Sequence, residues 1–424
     1  MKIILQKILA LLARKIIKKY QPRVVGITGS IGKTSAKEAV FAVLNKKFRV
    51  RQNIKNYNNE LGVPLTIIGA KSKGKSIFGW FVVFIKAIKL LITKDGKYPE
   101  VLVLEMGADK IGDISYLVEI VKPNISVVTK VSATHLEFFK SLEGVAREKS
   151  KIVTALTDSD TAILNFDDKL VMGMKDKTKA KVITFGHKEE ADVSAIEFSS
   201  ATQGTVVKGI NFKIKYEGST VPVFLPHVVG AHQMNAALIG AAVGLALGMN
   251  LVDISDGLGS YRSPKGRMNV IAGIKNSTLI DDTYNSSPEA AHKAVESIAK
   301  LNLDNLGRKI AILGDMLELG DVSEKEHLDL GKKVAELKYD MLIAVGTFKD
   351  DIASGAKKAG FENVVTFSDS TRAIEEVSNL IQDNDLILVK GSQGSRMERI
   401  VKKLMAEPEK AKELLIRQEK EWID

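Results

Sequence analysis

The twelve residues Val24–Ser35, VVGITGSIGKTS, constrain this chain more than any other stretch. A β-branched run enters a turn containing Gly29 and Gly32, and the helical spacing of Ala36, Val40, Val43 and Leu44 follows. Strand, glycine turn and helix N-terminus in that order aim successive backbone N–H groups and the helix dipole at one anion. Lys33 is placed to neutralise terminal phosphates, and the Thr34 hydroxyl to ligate Mg²⁺, so Gly29, Ser30, Gly32, Lys33, Thr34 and Ser35 read as a nucleotide-phosphate loop. Where the common pattern has a glycine five residues before Gly32, this chain has Ile27, bracketed by Gly26 and Gly29, which makes the loop a variant.

A chain of 424 residues exceeds one ordinary core, and the absence of cysteine excludes disulfides. The net charge of +11 is uneven: residues 1–100 hold 21 Lys+Arg against 4 Asp+Glu, so that segment is +17 and the remainder −6. Such a segment suits an anionic partner, whether nucleotide, membrane surface or nucleic acid. Nucleic acid is the least favoured, because the lysines are interleaved with apolar helices and no stacking-aromatic module is present. Residues 1–20 read as a helix with Ile4, Ile8, Leu11 and Leu12 on one side and Lys7, Arg14 and Lys18 largely on the other, too short and charged to span a bilayer and unlike a signal peptide. Lys71, Lys73 and Lys75 precede IFGWFVVFIKAIKLLI, 16 residues broken by Lys86 and Lys89, again short of a span. Packing on the first domain and lying on a membrane surface both stay open for these helices, so 1–20 and 76–93 are the candidate surfaces for peripheral membrane contact.

Val101–Leu104 predicts a buried parallel strand that delivers Glu105 at its C-terminal end, where α/β sheets bind ligands, and ISVVTKV a second strand ending near His135. Strands at Thr161–Asn165 and Lys181–Phe185, an alternating antiparallel patch from Asp192 to Phe224 and a buried helix over Ala231–Met249 complete the first unit. After a loop at Gly257–Arg267, four apolar strands end in Asp281-Asp282, Gly314-Asp315, Gly346 and Lys390-Gly391. The expected fold is α/β: a P-loop ATPase domain with a mostly parallel sheet and a small antiparallel patch, then a Rossmann-like doubly wound domain. The expected division is a basic helix at 1–22, a central domain at 23–262 with a basic apolar insertion at 70–98, and a C-terminal domain at 263–424.

Several further motifs follow the phosphate loop in fixed order: N-Y-N-N-E-L-G-V-P at 56–64, E-M-G-A at 105–108, H-L-E at 135–137 with Lys149 fourteen residues after His135, G-R-M at 266–268, D-D-T-Y-N-S-S-P at 281–288, G-D-M-L-E-L-G at 314–320 and V-K-G-S at 389–392. In this order they resemble the Mur ligases, the ATP-dependent amide-forming enzymes of peptidoglycan precursor synthesis, and most of all the branch that adds D-Ala-D-Ala to a UDP-MurNAc-peptide. The resemblance implies activation of a carboxylate as an acyl phosphate, attack by an amine, and two Mg²⁺ ions. It assigns Lys33, Thr34 and Glu105 to ATP and a first metal, and His135 to a second metal shared with Lys149 as a CO₂-derived carbamate. It also implies Asn235 at adenine, Arg267 at the phosphates, Asp281 at the ribose with Tyr284 beside it, and Asn58, Asn59, Asn285, Lys390, Ser392 and Arg396 at the substrates, while Asp315, Glu318 and His327 would line the C-terminal cleft. Family members place a domain ahead of the loop to grip the UDP-sugar; about 23 residues precede it here, so UDP recognition is expected to differ. The expected enzyme is a cytoplasmic monomer, at most peripheral at the inner face of the membrane. The rival expectations are a Mur-type ligase for another amino acid or acceptor, and a membrane-surface ATP-binding protein without ligase activity.

Overall fold

The computed structural model describes residues 2–54, 57–132, 136–203, 206–301, 307–419 and Trp422. Nine strands form the first sheet: β1 (Arg23–Thr28), β2 (Val50–Gln52), β3 (Val101–Glu105), β4 (Ile125–Val128), β5 (Thr161–Asn165), β6 (Lys181–Gly186), β7 (Val193–Gln203), β8 (Val206–Tyr216) and β9 (Ser219–Pro226). Their order is β2-β3-β1-β4-β5-β6-β7-β8-β9, and β1 through β6 pair in parallel. The second sheet contains β10 (Asn269–Ala272), β11 (Thr278–Asp282), β12 (Lys309–Gly314), β13 (Met341–Val345), β14 (Val364–Phe367) and β15 (Leu386–Lys390), in the order β10-β11-β15-β12-β13-β14. Among the described strands of this second sheet only β10 runs antiparallel to its neighbour, so the α/β class, with helices between parallel strands, is as the sequence predicts.

The chain divides into two compact units, one of residues 1–197, 212–224 and 234–261, the other of residues 198–211, 225–233 and 262–424. β1, β3 and β4 are buried on both faces, as their unbroken Val/Ile/Leu runs require. The alternating stretch becomes β7–β9, and Glu217-Gly218, both with positive φ, form the two-residue turn between β8 and β9. That turn type matches the right-handed twist of paired antiparallel strands.

Seven helices in the first unit position the site: α1 (Lys2–Tyr20), α2 (Lys33–Leu44), α3 (Gly62–Ile68), α4 (Ile77–Ile92), α5 (Asp113–Ile120), α6 (Leu136–Phe139) and α7 (Leu142–Thr154). α1 buries Leu9, Ala10, Ala13 and Ile16, and Gln6 donates to Glu60 at 2.8 Å. Lys19 Nζ donates to the carbonyls of Leu90, Leu91 and Thr93, and the Tyr20 ring stacks on Tyr98 with centroids 4.1 Å apart, tying α1 to the end of α4. The expected helix over 231–249 forms as a 3₁₀ turn at Ala231–Gln233 followed by an α-helix over Met234–Ala246 that packs on α2.

Small residues let backbones near α2 approach closely. A Cβ on Gly257 would lie 2.7 Å from Val43 Cα, a contact no side-chain rotation relieves. Gly257→Val is therefore expected to destabilise the first unit by about 1–3 kcal/mol, read as a lowered thermal midpoint with an unchanged second-unit transition.

Candidate active site

The phosphate loop is built by the end of β1 and the start of α2. Gly32 occupies the N-cap in the left-handed region, φ 87°, and Gly29 has φ 148°. A Cβ on Gly29 would sit 1.9 Å from Thr129 Oγ1, so only glycine lets the loop curl against the end of β4. That neighbouring loop clamps it: Ser30 N donates to Lys130 O at 2.7 Å, Thr129 Oγ1 to Ile31 O at 2.6 Å and Ser132 N to Ser30 Oγ at 3.1 Å. Lys33 Nζ folds back over the turn and donates to Gly29 O at 2.8 Å and Ser30 O at 3.4 Å. In the sequence Thr129 is legible only as a polar residue closing a buried strand; its role as the loop's outer wall is a tertiary fact.

Glu105 lies buried at the C-terminal end of β3, the strand beside β1 in the same parallel sheet. Asn58 Nδ2 donates to Glu105 Oε1 at 3.1 Å, which orients the carboxylate. Asn53, absent from the sequence-based set, is buried and accepts the Glu105 N–H at 2.5 Å through Oδ1, while its carbonyl accepts from the buried Lys37 Nζ at 3.0 Å. Asn59 is exposed and its Oδ1 accepts from Leu61 N at 3.3 Å and Gly62 N at 3.0 Å, in the turn that leads into α3.

Lys149 is 3% exposed on the inner face of α7. Burial, reinforced by the nearby Lys33 charge, pulls its amine down to about 7, against the opposing pull of Glu148 and Asp109. The ordinary reading of a lysine in AREKSK is a solvated helix face; the structure instead places this one inside, within electrostatic reach of the phosphate loop. Glu148 is also buried and accepts from Ile114 N at 2.9 Å. His135 lies outside the described residues. Among the described residues, no group of three or more His, Cys, Asp or Glu side chains is placed to hold a metal ion. Asn235, half-buried at the start of the helix that packs on α2, leaves Oδ1 buried with no hydrogen-bond partner among the described residues and does not cap its helix.

In the second unit the Arg267 guanidinium stacks over the Tyr284 ring, 4.3 Å from its centroid, and its buried Nε has no partner among the described residues. Asp281 is fully buried: Oδ1 accepts from Thr283 N and Oγ1, Oδ2 has no partner among the described residues, and burial pushes its carboxyl up to about 7. A folded-state value above the unfolded one of roughly 3.9 means the folded state holds more protons between the two. Stability from Asp281 is thus complete below about pH 4 and lost as pH rises through about 7. Asp281→Asn is expected to flatten the fall in the second unit's thermal midpoint across that window.

Lys390 is not a surface lysine: its Nζ is 2.6 Å from Asp282 Oδ2 and 3.0 Å from Asn285 O. Ser392 Oγ donates to Ser286 O at 3.1 Å and accepts from Leu317 N at 2.9 Å. Arg396 pairs with the buried Glu398 at 2.6 Å, and Arg417 joins that carboxylate at 3.0 Å while donating to the carbonyls of Thr283 and Tyr284. Lys390, Ser392 and Arg417 brace the 283–286 loop, in which Asn285 is exposed. Asp315 and His327, expected at a cleft, serve internally: Asp315 accepts the N–H groups of Thr347 and Phe348, and His327, fully buried, accepts from Met316 N and contacts Ser323 O. Glu318 is exposed in the left-handed region, φ 65°.

Comparison with known proteins matches residues 85–244 to the Mur ligase middle domain and residues 266–393 to the Mur ligase, glutamate ligase domain. The UDP-N-acetylmuramoyl-tripeptide–D-alanyl-D-alanine ligase of Bacillus subtilis is 29% identical over 398 residues, covering 94% of this chain and 79% of that protein. A crystal structure of MurF from Acinetobacter baumannii superposes with a TM-score of 0.77 at 30% identity, over 93% of this chain and 79% of that one. MurF ligase from Thermotoga maritima in complex with ADP gives 0.74 at 27% identity, over 96% and 84% of the two chains. With two domain matches covering most of its length and solved relatives that superpose on more than nine-tenths of it, this chain belongs to the Mur ligase family.

Proposed function

We propose that this chain is an ATP-dependent ligase that joins D-alanyl-D-alanine to the peptide of a UDP-MurNAc-tripeptide. The observation that carries the chemistry is the buried amine of Lys149, pulled down to about 7 by burial and by the nearby Lys33 charge at the phosphate loop. Nucleotide binding alone has no use for a desolvated lysine at that place, whereas a carbamate on it is an anionic oxygen ligand. The identity of the substrates rests on the relatives named above.

The residues fit ATP as a substrate. The positive φ of Gly29 and Gly32 gives the loop the curl a phosphate cradle requires, the Lys33 amine lies at that turn, and the unpartnered Asn235 Oδ1 is an acceptor for an adenine amino group. Arg267 and Asp281 are assigned to phosphates and ribose, with Tyr284 holding the Arg267 plane. Thr34 and Glu105 would hold one Mg²⁺, and His135 with carbamylated Lys149 a second; bound there, the ions supply positive charge against the phosphates. The acceptor carboxylate oxygen takes the γ-phosphoryl group from ATP, releasing ADP. The amine of D-alanyl-D-alanine then attacks the carbonyl carbon, the tetrahedral intermediate expels phosphate, and the amine loses a proton. Asn58, Asn59, Asn285, Lys390, Ser392 and Arg396 are assigned to substrate contact, and Lys390 and Ser392 also hold the 283–286 loop. The working form is a monomer acting in the cytoplasm, divided at 23–262 and 263–424.

The test is phosphate release from ATP and Mg²⁺ with a UDP-MurNAc-tripeptide and D-alanyl-D-alanine, each omitted in turn, with product masses recorded. Release that needs both substrates and yields their condensed mass is expected. Release with an unrelated amine only, or none while ATP still binds, overturns the assignment.

A further inference from the structure

The helix α4 carries apolar side chains on a face that no described residue covers. Val83, Ala87 and Leu90 point into the core at helical spacing. On the opposite side Ile77, Phe81, Ile85, Ile88 and Ile92 form a continuous stripe, 82%, 59%, 49%, 48% and 77% exposed, with Phe78 (76%) and Val82 (46%) beside it. Two-sided apolarity is the mark of a helix meeting two apolar phases. Isolated exposed apolar residues need no explanation, but seven on one helix do.

The rim of this stripe is cationic. From Lys71 to Lys97 the chain carries seven lysines and one acidic residue, Asp95, and the lysines are exposed at both ends and along the flank of α4. α1, tied to the end of α4 through Lys19 and Tyr20, adds exposed Ile4, Ile8 and Leu11 with Lys7, Arg14, Lys15 and Lys18. The helix spans 16 residues, and no described helix is long and apolar enough to cross a membrane.

We propose that the outer face of α4, with its lysine rim, docks in the plane of an anionic lipid bilayer. The apolar stripe enters the boundary between headgroups and acyl chains, and Lys71, Lys73, Lys75, Lys89, Lys94 and Lys97 meet the anionic headgroups. Charge selects the occupant: two copies pressed face to face would oppose two lysine rims, whereas an anionic surface complements one. Trp80, whose Nε1 donates to Gly74 O at 3.0 Å, sits where the lysine loop meets the helix, the level that tryptophan favours at an interface. This docking is independent of the ligase reading, since it uses no residue of the phosphate loop or the 283–286 loop.

The full chain is sedimented with phosphatidylcholine vesicles with and without phosphatidylglycerol, as wild type, as Phe81→Glu/Ile85→Glu, and as Lys73→Glu/Lys75→Glu. Thermal melting checks that each variant folds, and sedimentation without lipid gives the oligomeric state. Wild type is expected to bind phosphatidylglycerol vesicles, with both double variants weakened about tenfold or more and the wild-type binding falling with added salt. Equal binding to phosphatidylcholine alone, no binding to either vesicle, or folded variants that bind like wild type overturns the proposal. A lipid-free wild-type dimer that Phe81→Glu/Ile85→Glu dissociates also overturns it, by assigning the face to a second copy.

Discussion

Lys33→Ala is expected to lower ATP-dependent product formation about a hundred- to a thousandfold, the usual cost of removing one preorganised charge from a site where negative charge is transferred. The amine sits 2.8 Å from Gly29 O, at the turn itself, so its loss removes positive charge without disturbing the core. The fold is held independently by Thr129 and Lys130 against Ser30 and Ile31, so the variant should melt close to wild type. Steady-state phosphate release with both substrates, set beside a thermal melt, makes the measurement. A variant that keeps most of its turnover would show that the loop's backbone does the work alone.

Lys149→Ala should have a comparable effect for a different reason. An ordinary lysine near pH 7 is neutral about once in a thousand molecules or less, and carbamate forms only from the neutral amine. With its amine at about 7, Lys149 is neutral roughly half of the time, so its nitrogen can attack CO₂ and release a proton. In the proposed carbamate role the variant would lose a metal-bound oxygen ligand, which costs several kcal/mol of charge stabilisation, or about two to three orders of magnitude in rate. A small carboxylate such as acetate, filling the space that truncation of the lysine side chain leaves, should restore part of the rate in Lys149→Ala and none in Lys33→Ala. In wild type, activity should decline as pH falls below about 7 and recover in part with added bicarbonate. Absence of any acetate or bicarbonate effect would leave Lys149 as a buried structural amine.

What can be read from the chain and what cannot divide along a physical line. The β1 turn and α2 are legible because glycine, lysine and threonine at that spacing have one common use, and the strand ends at Glu105, Asp281 and Lys390 because apolar runs stop abruptly there. β2, three residues long, carries too little pattern to show; it exists because β3 offers it a free edge. Nor does sequence reveal that Lys390 meets Asp282 across 108 positions, or that Arg417 reaches back to the Thr283 and Tyr284 carbonyls. Side chains of the same type and spacing would be solvated on any other fold. Lys149 shows the converse, since helical periodicity alone cannot tell which lysine of AREKSK turns inward.

The order of the second sheet bears on how the protein is made. β15 lies between β11 and β12, so the strand of that sheet that leaves the ribosome after its other five is the one that joins its two halves. Until Leu386–Lys390 emerges, β10-β11 and β12-β13-β14 are separate pieces with apolar edges facing a gap. The first unit can finish while synthesis continues, but the second must wait for nearly its full length and is exposed to misassembly meanwhile. Nascent chains stalled before Leu386 should therefore be protease-sensitive beyond residue 262, and chains stalled with β15 clear of the exit tunnel should not.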